Sequence, residues 1–337
     1  VVIVKKALIR EEFNRLRIFL DAFGLKYDDD INESFYIEDQ GEIIATGSRS
    51  KNLIKAIAVS KEHRGENLAS LLLTELLASM RAEKIFYYQV YTKAEYLSIF
   101  ESMGFSFIEK TDKVAVLEGG DGNIETTINR MKKRIEERFK RSLDKADIGA
   151  IVVNCNPMTK GHFQLIIDSA ANHEIFLVLV VEEEKSFFTY PERLLLINKA
   201  LAGYENIMVI PSTGYVVSSL TFPSYFLKSI DEAEKEHAKL DAMIFRDYFI
   251  RILNIRKRYV GGETEPVMVT YNNLLKRYLG DTLVRRERFQ QDNEPISASR
   301  VRKLILEGKP REASMLVPDA ARNTFMEIVE KKYGNKA

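Results

Sequence analysis

The spacing of apolar positions divides the second half of the chain into alternating elements. "GAIVVN" (149–154), "IFLVLVV" (175–181) and "NIMVIPS" (206–212) are unbroken apolar runs. Short runs of this kind, rich in β-branched residues, predict strands buried on both faces. Between them lie "HFQLIIDSAANH" (162–173) and "YPERLLLINKALAG" (190–203), where apolar residues recur at helical spacing. The second has Pro191 where a first turn tolerates proline and Gly203 where a helix stops. Strand, helix, strand, helix, strand predicts a parallel sheet with right-handed crossovers, a doubly wound α/β domain.

Upstream, "IKAIAVSKEHRGENLASLLLTELLASM" (54–80) reads as strand, loop and a helix with leucines on one face. "EGGDGN" (118–123) is the clearest break. After it, Ile124, Ile128, Met131, Ile135 and Phe139 fall at helical spacing. The expected division is a first domain over residues 1–120, a connecting helix over 121–145 and a second domain over 146–337. A length of 337 residues suits two domains with separate cores. The connecting helix carries Arg130, Lys132, Lys133, Arg134, Arg138, Lys140 and Arg141 against Glu136 and Glu137. A solvated face and a dock for an acidic partner both account for that run.

Composition narrows the function classes. A net charge of +1 gives no global attraction to nucleic acid or to a membrane surface. The single cysteine, Cys155, excludes an intramolecular disulfide and fits a reducing compartment. The apolar runs are too short to span a bilayer, and no signal-peptide pattern opens the chain. The cytoplasm is therefore the expected location.

Only four histidines occur, and one lies in "NCNPMTKGHFQLI" (154–166), at the carboxyl end of the first strand of the second domain. In doubly wound sheets ligands bind at that edge. The motif leads into a helix N-terminus, where free N–H groups favour anions. Gly161 would let backbone approach a phosphate, and His162 and Thr159 could donate to its oxygens. A capping Thr159 and a satisfied core His162 account equally for these residues. "EPISASRVRKLILEGK" (294–309) places Ser297, Ser299 and Arg302 at a second helix start, a set that converges well on phosphate oxygens. An ordinary capped helix with solvated basic residues is the alternative there. Two such segments bracketing one domain favour a phosphate site.

"TKGH" (159–162) resembles the T/H-x-G-H motif of the nucleotidyltransferase superfamily, and "ISASRVR" (296–302) resembles its I-S-S-T-x-x-R motif. The second departs at Ala298 and at Ser299, where the family has serine and threonine. The resemblance implies that His162 and Thr159 stabilise an attacked α-phosphate. It implies that Arg302, Ser297 and Ser299 hold the β- and γ-phosphates of ATP, accompanied by Mg²⁺. Asn156 and Gly161 join the nucleotide-binding set. "NCNPMTKGH", "EEEKSFF", "SSLTFPSYFLK", "LDAMIFRDYF" and "RYVGGETEP" together resemble the citrate lyase ligase family. That family carries an acetyltransferase (GNAT)-like α+β domain before a Rossmann-like adenylating domain. Its implied activity is AMP-forming ligation of acetate to the prosthetic-group thiol on the acyl-carrier (gamma) subunit of citrate lyase. "VGGETEP" (260–266) departs from a more compact V-G-x-E-P turn.

In the first domain, "RGENLA" (64–69) is similar to the R-x-x-G-x-G/A acyl-CoA signature. Arg64 and Gly65 would meet a CoA-like prosthetic group; Asn67 stands where the signature has glycine. Lys185, after the second strand, and Arg193, one turn into the next helix, are further candidates for the phosphates or acetate, each with a structural alternative. Cys155 reads as a small buried side chain rather than a nucleophile. His63, His173 and His237 lie in polar contexts without metal-ligand spacing, so no structural metal is expected. Two other readings stay open: an adenylyltransferase acting on a pantetheine phosphate or nicotinamide mononucleotide, and a non-catalytic nucleotide or acyl-CoA sensor.

Overall fold

The computed structural model describes residues 2–182, 186–216, 230–262, 266–287, 290–291 and 294–333. The chain forms two compact units, Val1–Thr127 with Leu220–Ile244, and Ile128–Ser219 with Phe245–Ala337.

The first unit contains β1 (Val4–Lys6), α1 (Arg10–Ala22), β2 (Glu33–Asp39), β3 (Glu42–Ser50), β4 (Leu53–Val59), α2 (Leu68–Ala82), β5 (Tyr87–Lys93), α3 (Leu97–Ser102), β6 (Ser106–Lys110) and β7 (Val114–Gly120). Its seven strands run in the order β1-β2-β3-β4-β5-β7-β6. All neighbours are antiparallel except β4 and β5. The leucine face of α2 is its core face: Leu68, Leu72, Leu73, Leu76 and Met80 are buried on the sheet.

β4 and β5 pair only at Leu53–Gln89 and Ile54–Val90. Ala56 then takes φ +54, uncommon for a residue with a Cβ, and marks where β4 bends away. The gap opens a cleft of about 600 Å³ between the diverging strands.

The expected division at residue 120 differs from the observed one in two places. The boundary falls inside α4 (Ile124–Phe139), and the helix Ile230–Ile244 belongs to the first unit. That helix packs on the edge strand β6, where Thr111 donates to the buried Glu236. An exposed strand edge offers unpaired backbone groups, so cover from a distant segment has a physical use. Local periodicity contains no sign of it.

The predicted apolar face of α4 is present. Ile124, Ile128, Met131 and Ile135 are buried, while Phe139 is half-buried. Some of its basic residues are paired: Lys132 with Asp144 and Lys133 with Glu137.

The second unit contains β8 (Ile148–Val153), α5 (Lys160–Ala170), β9 (Ile175–Val180), α6 (Tyr190–Leu201), β10 (Ile207–Pro211), β11 (Ile255–Gly261) and β12 (Leu283–Arg286). These five strands are all parallel, in the order β10-β9-β8-β11-β12. The order steps outward from β8 in both directions, as the doubly wound reading predicts. All six residues of β9 are fully buried, which explains an apolar run without alternation. Three later helices, Ala298–Leu306, Pro310–Met315 and Arg322–Tyr333, complete the packing.

His173 differs from its expected polar setting. Its side chain is buried, with Nδ1 on the Asp147 carboxylate at 2.9 Å and Nε2 on the Tyr259 hydroxyl at 2.8 Å. The carboxylate only accepts, so Nδ1 carries a proton. No helix among the described residues is long and apolar enough to cross a membrane.

Candidate active site

β8 ends at Val153, and the chain turns back with Cys155 at φ +48. Burial pushes the Cys155 thiol up to about 12, so it stays protonated and shielded. Thr159 then caps α5, and it is completely buried. Its backbone N–H donates to His162 Nδ1 at 3.2 Å, and its Oγ1 lies 3.0 Å from the same nitrogen. The His162 N–H returns to Thr159 Oγ1 at 3.3 Å. This is a capping box with histidine in the position glutamate usually takes.

The box determines a tautomer. A backbone N–H can only donate, so Nδ1 accepts and the proton of the neutral imidazole sits on Nε2. His162, half-buried, thereby carries its donor on Nε2. Thr159 was a candidate phosphate ligand; buried as it is, it acts on the imidazole instead.

The helix start is not an open set of amides. Lys160 N–H donates to the Leu316 carbonyl at 2.9 Å. Thr159 and His162 are occupied by each other. Of these four N–H groups, only that of Gly161 meets no acceptor among the described residues.

The second motif lies against the first. A Cβ on Gly161 would stand 3.1 Å from the Ile296 carbonyl and 3.7 Å from the Ile296 Cβ. The missing Cβ of Gly161 thus admits the backbone of the other motif. Ser297 caps the following helix, accepting from Arg300 N–H at 3.2 Å. Arg302 Nη1 donates to the Asn156 carbonyl, and Nη2 donates to Ser299 Oγ at 3.0 Å. Of the five N–H donors of the guanidinium, two are spent on described residues and three meet no acceptor among them. Burial lowers the Arg302 pKa from its ordinary value; the group remains a cation.

Asn156 is the joint of this arrangement. Its carbonyl takes Arg302, and its Oδ1 accepts from Phe188 N–H at 2.9 Å.

Arg193 does not join the phosphate candidates. It is fully buried, with Nη1 on the Asn154 carbonyl at 2.8 Å and Nε on the Phe188 carbonyl at 3.3 Å. A guanidinium packed on two carbonyls holds two loops together. Lys185 lies outside the described residues, as do all of "SSLTFPSYFLK" and the centre of "VGGETEP".

Phe188 and the Leu316 carbonyl were missed in the sequence. Neither carries a chemical signal; both act through backbone groups.

In the first unit, Arg64, Gly65 and Asn67 line the cleft between β4 and β5. All three are exposed. Asn67 takes φ +57 at the start of α2, the left-handed conformation that asparagine tolerates. Gly65 has φ +92, and a Cβ there would touch nothing. Deeper in, the buried Lys55 pairs with Asp28 at 3.0 Å and with Asp30. Burial raises the Asp28 carboxyl, against the pull of Lys55.

Comparison with known proteins gives the family. Residues 148–325 match the citrate lyase ligase C-terminal domain family, and residues 11–118 match the acetyltransferase (GNAT) domain family. The chain belongs to the citrate lyase ligase family. A citrate (pro-3S)-lyase ligase of Escherichia coli (strain K12) is 32% identical over 323 residues, covering 93% of this chain and 90% of that one. Proteins of the same name are 30% identical in Haemophilus influenzae and in Klebsiella pneumoniae. They cover 93% and 96% of this chain, and 95% and 94% of their own lengths. The family match spans both phosphate-like motifs, and the GNAT match spans Arg64 and Gly65.

Proposed function

We propose that the protein is an ATP-dependent ligase that joins acetate to the carrier thiol of citrate lyase through acetyl-adenylate. The observation that carries this reading is the contact between the two motifs. Arg302 bonds the Asn156 carbonyl, and Gly161 lies against Ile296, so imidazole and guanidinium are held by one loop pair. Residues 140 positions apart along the chain, His162 and Arg302, are thereby available to one triphosphate.

An acetate oxygen attacks the α-phosphorus of ATP. The bond from that phosphorus to the β-phosphate oxygen breaks, and pyrophosphate leaves with the electron pair. Charge builds on the α-phosphate oxygens, where the His162 Nε2 donor stabilises it without reorganising. The three remaining Arg302 donors suit the departing β- and γ-phosphates in a forked geometry. The gathered side chains are donors and a cation, so they fit phosphate oxygens. Mg²⁺, which ATP ordinarily carries, neutralises further charge there.

The carrier's thiol sulfur then attacks the acetyl carbonyl carbon. The carbon–oxygen bond to phosphate breaks, AMP leaves, and the thiol proton passes to solvent. The cleft of the first unit suits the pantetheine-like arm that bears this thiol. Its diverging strands, the start of α2 and the cations Lys61, Arg64 and Lys93 line the opening.

The deciding experiment follows pyrophosphate release from labelled ATP. Acetate-dependent release supports the ligase. Release only with a phosphorylated acceptor would establish the adenylyltransferase instead, and no release with either would leave a sensor.

A further inference from the structure

Phe187 and Phe188 belong to neither motif, yet three segments meet on them. The Phe188 ring is 1% exposed and stacks on Phe325 of the C-terminal helix Arg322–Tyr333, with centroids 5.8 Å apart. The Lys332 ammonium lies 5.7 Å from the Phe188 centroid. Lys332 also donates to the Phe187 carbonyl at 3.3 Å and to Glu192 at 2.6 Å. Phe187 stacks on Tyr333 at 5.3 Å. One face of this dipeptide is thus held by the C-terminal helix.

The backbone of the same dipeptide faces the site. Phe188 N–H donates to Asn156 Oδ1, and the Phe188 carbonyl accepts from Arg193. Asn156 in turn offers its carbonyl to Arg302 Nη1. The chain of contacts runs from Lys332 and Phe325, through Phe188 and Asn156, to the guanidinium.

We propose that the C-terminal helix is a positioning element for the triphosphate site, with Lys332 its outermost positioning residue. The proposal rests on the nucleotide reading given above. Its physical basis is orientation. Arg302 carries its charge wherever the loop goes, but a forked donor recognises phosphate only when the plane of the fork is aimed. One edge of that plane is anchored on the Asn156 carbonyl. Asn156 is fixed by an N–H whose own position depends on the two phenyl rings and the ammonium above them. Loosening the helix frees the loop and costs the guanidinium its direction, while the local charge stays the same.

Lys332→Met tests this, because methionine keeps an apolar stem over Phe188 and removes the ammonium. In acetate-dependent pyrophosphate exchange its KM for ATP should rise about three- to tenfold, the scale of one lost charge-assisted hydrogen bond. KM for acetate should not move. Lys332→Arg, which can reach the same carbonyl and carboxylate, should restore most of the loss. Tyr333→Leu, which removes the stack on Phe187, should raise KM for ATP in the same direction. A double-mutant cycle of Lys332→Met with Asn156→Ala should be strongly non-additive in KM for ATP, although the two residues do not touch.

A merely structural helix predicts the opposite pattern. Lys332→Met would then lower the melting temperature and leave KM for ATP at the wild-type value, or the cycle would be additive; either result overturns the proposal. If the wild-type protein releases no pyrophosphate from ATP at all, the nucleotide reading fails and this one with it. An active wild type with an unchanged Lys332→Met overturns the positioning role alone.

Discussion

Two regions carry phosphate-like signatures, and they are built on opposite plans. In the second unit the motif residues are bonded to one another and to a neighbouring loop: Thr159 to His162, Arg302 to Asn156, Asn156 to Phe188. In the first unit Arg64, Gly65 and Asn67 stand exposed around an open cleft. Gly161 and Gly65 show the difference in a single residue type. Gly161 is required by a neighbour, the Ile296 carbonyl, whereas Gly65 is required by its own backbone at φ +92. Preorganised donors suit a site that must meet charge developing in a transition state. An open, adaptable mouth suits the binding of a long flexible arm.

The largest expected effect probes the bonded site. His162→Ala should reduce the rate of pyrophosphate release by about two to three decades, with a smaller change in ATP binding. Turnover at the wild-type rate would remove His162 from the chemistry.

The two glycines test the contrast directly. Gly161→Ala forces the Ile296 carbonyl back by a few tenths of an ångström, which in a packed site costs about 1–3 kcal/mol. Melting temperature and KM for ATP should both respond. Gly65→Ala meets open space and bears only left-handed backbone strain, about 1–2 kcal/mol. It should leave pyrophosphate release untouched. Should the two variants behave alike in that assay, the contrast between the regions is lost.

The cleft has its own test. Replacing Arg64 and Asn67 together by glutamate should raise the apparent KM for the carrier roughly tenfold and leave acetate-dependent pyrophosphate release unchanged. Thioester formation at the wild-type KM, with the unit still folded, would show that the arm binds elsewhere.

Smaller effects come from titration. Burial pushes the Glu192 carboxyl up, but bonds from Lys332 and from Thr189 outweigh it and hold it below the ordinary carboxylate range. A lowered folded pKa means that the stabilisation is present above the unfolded value and fades as pH falls through the folded one. The melting-temperature gap between wild type and Lys332→Met should be widest near neutrality and close below about pH 4. With both partners partly exposed, that gap should correspond to no more than about 1 kcal/mol. Thiol labelling offers a last check: Cys155 should resist alkylation in the folded protein and react once denatured, since burial keeps it protonated.

Some of this was legible in the amino-acid order. The apolar runs at 149–154, 175–181 and 206–212 became parallel strands because a strand buried on both faces needs no alternation. Thr159 and Ser297 begin helices because a hydroxyl beside a helical pattern satisfies a free amide locally. The allegiance of the helix Ile230–Ile244 was not legible, since its partner β6 lies more than a hundred residues away.

Arg193 and Arg302 mark the limit most clearly. Both are arginines in the opening turns of helices beside the same sheet edge, and as sequence they are equivalent candidates. Periodicity and capping depend on near neighbours, so the chain by itself determined its strands, its helix starts and the two motifs. Whether a guanidinium has donors left for a ligand depends on which carbonyls distant segments bring to it. Folding took Arg193 out of solvent onto Asn154 and Phe188, and left Arg302 half-exposed with donors to spare. That division was decided by the tertiary structure alone, because hydrogen-bond satisfaction is a property of the whole fold.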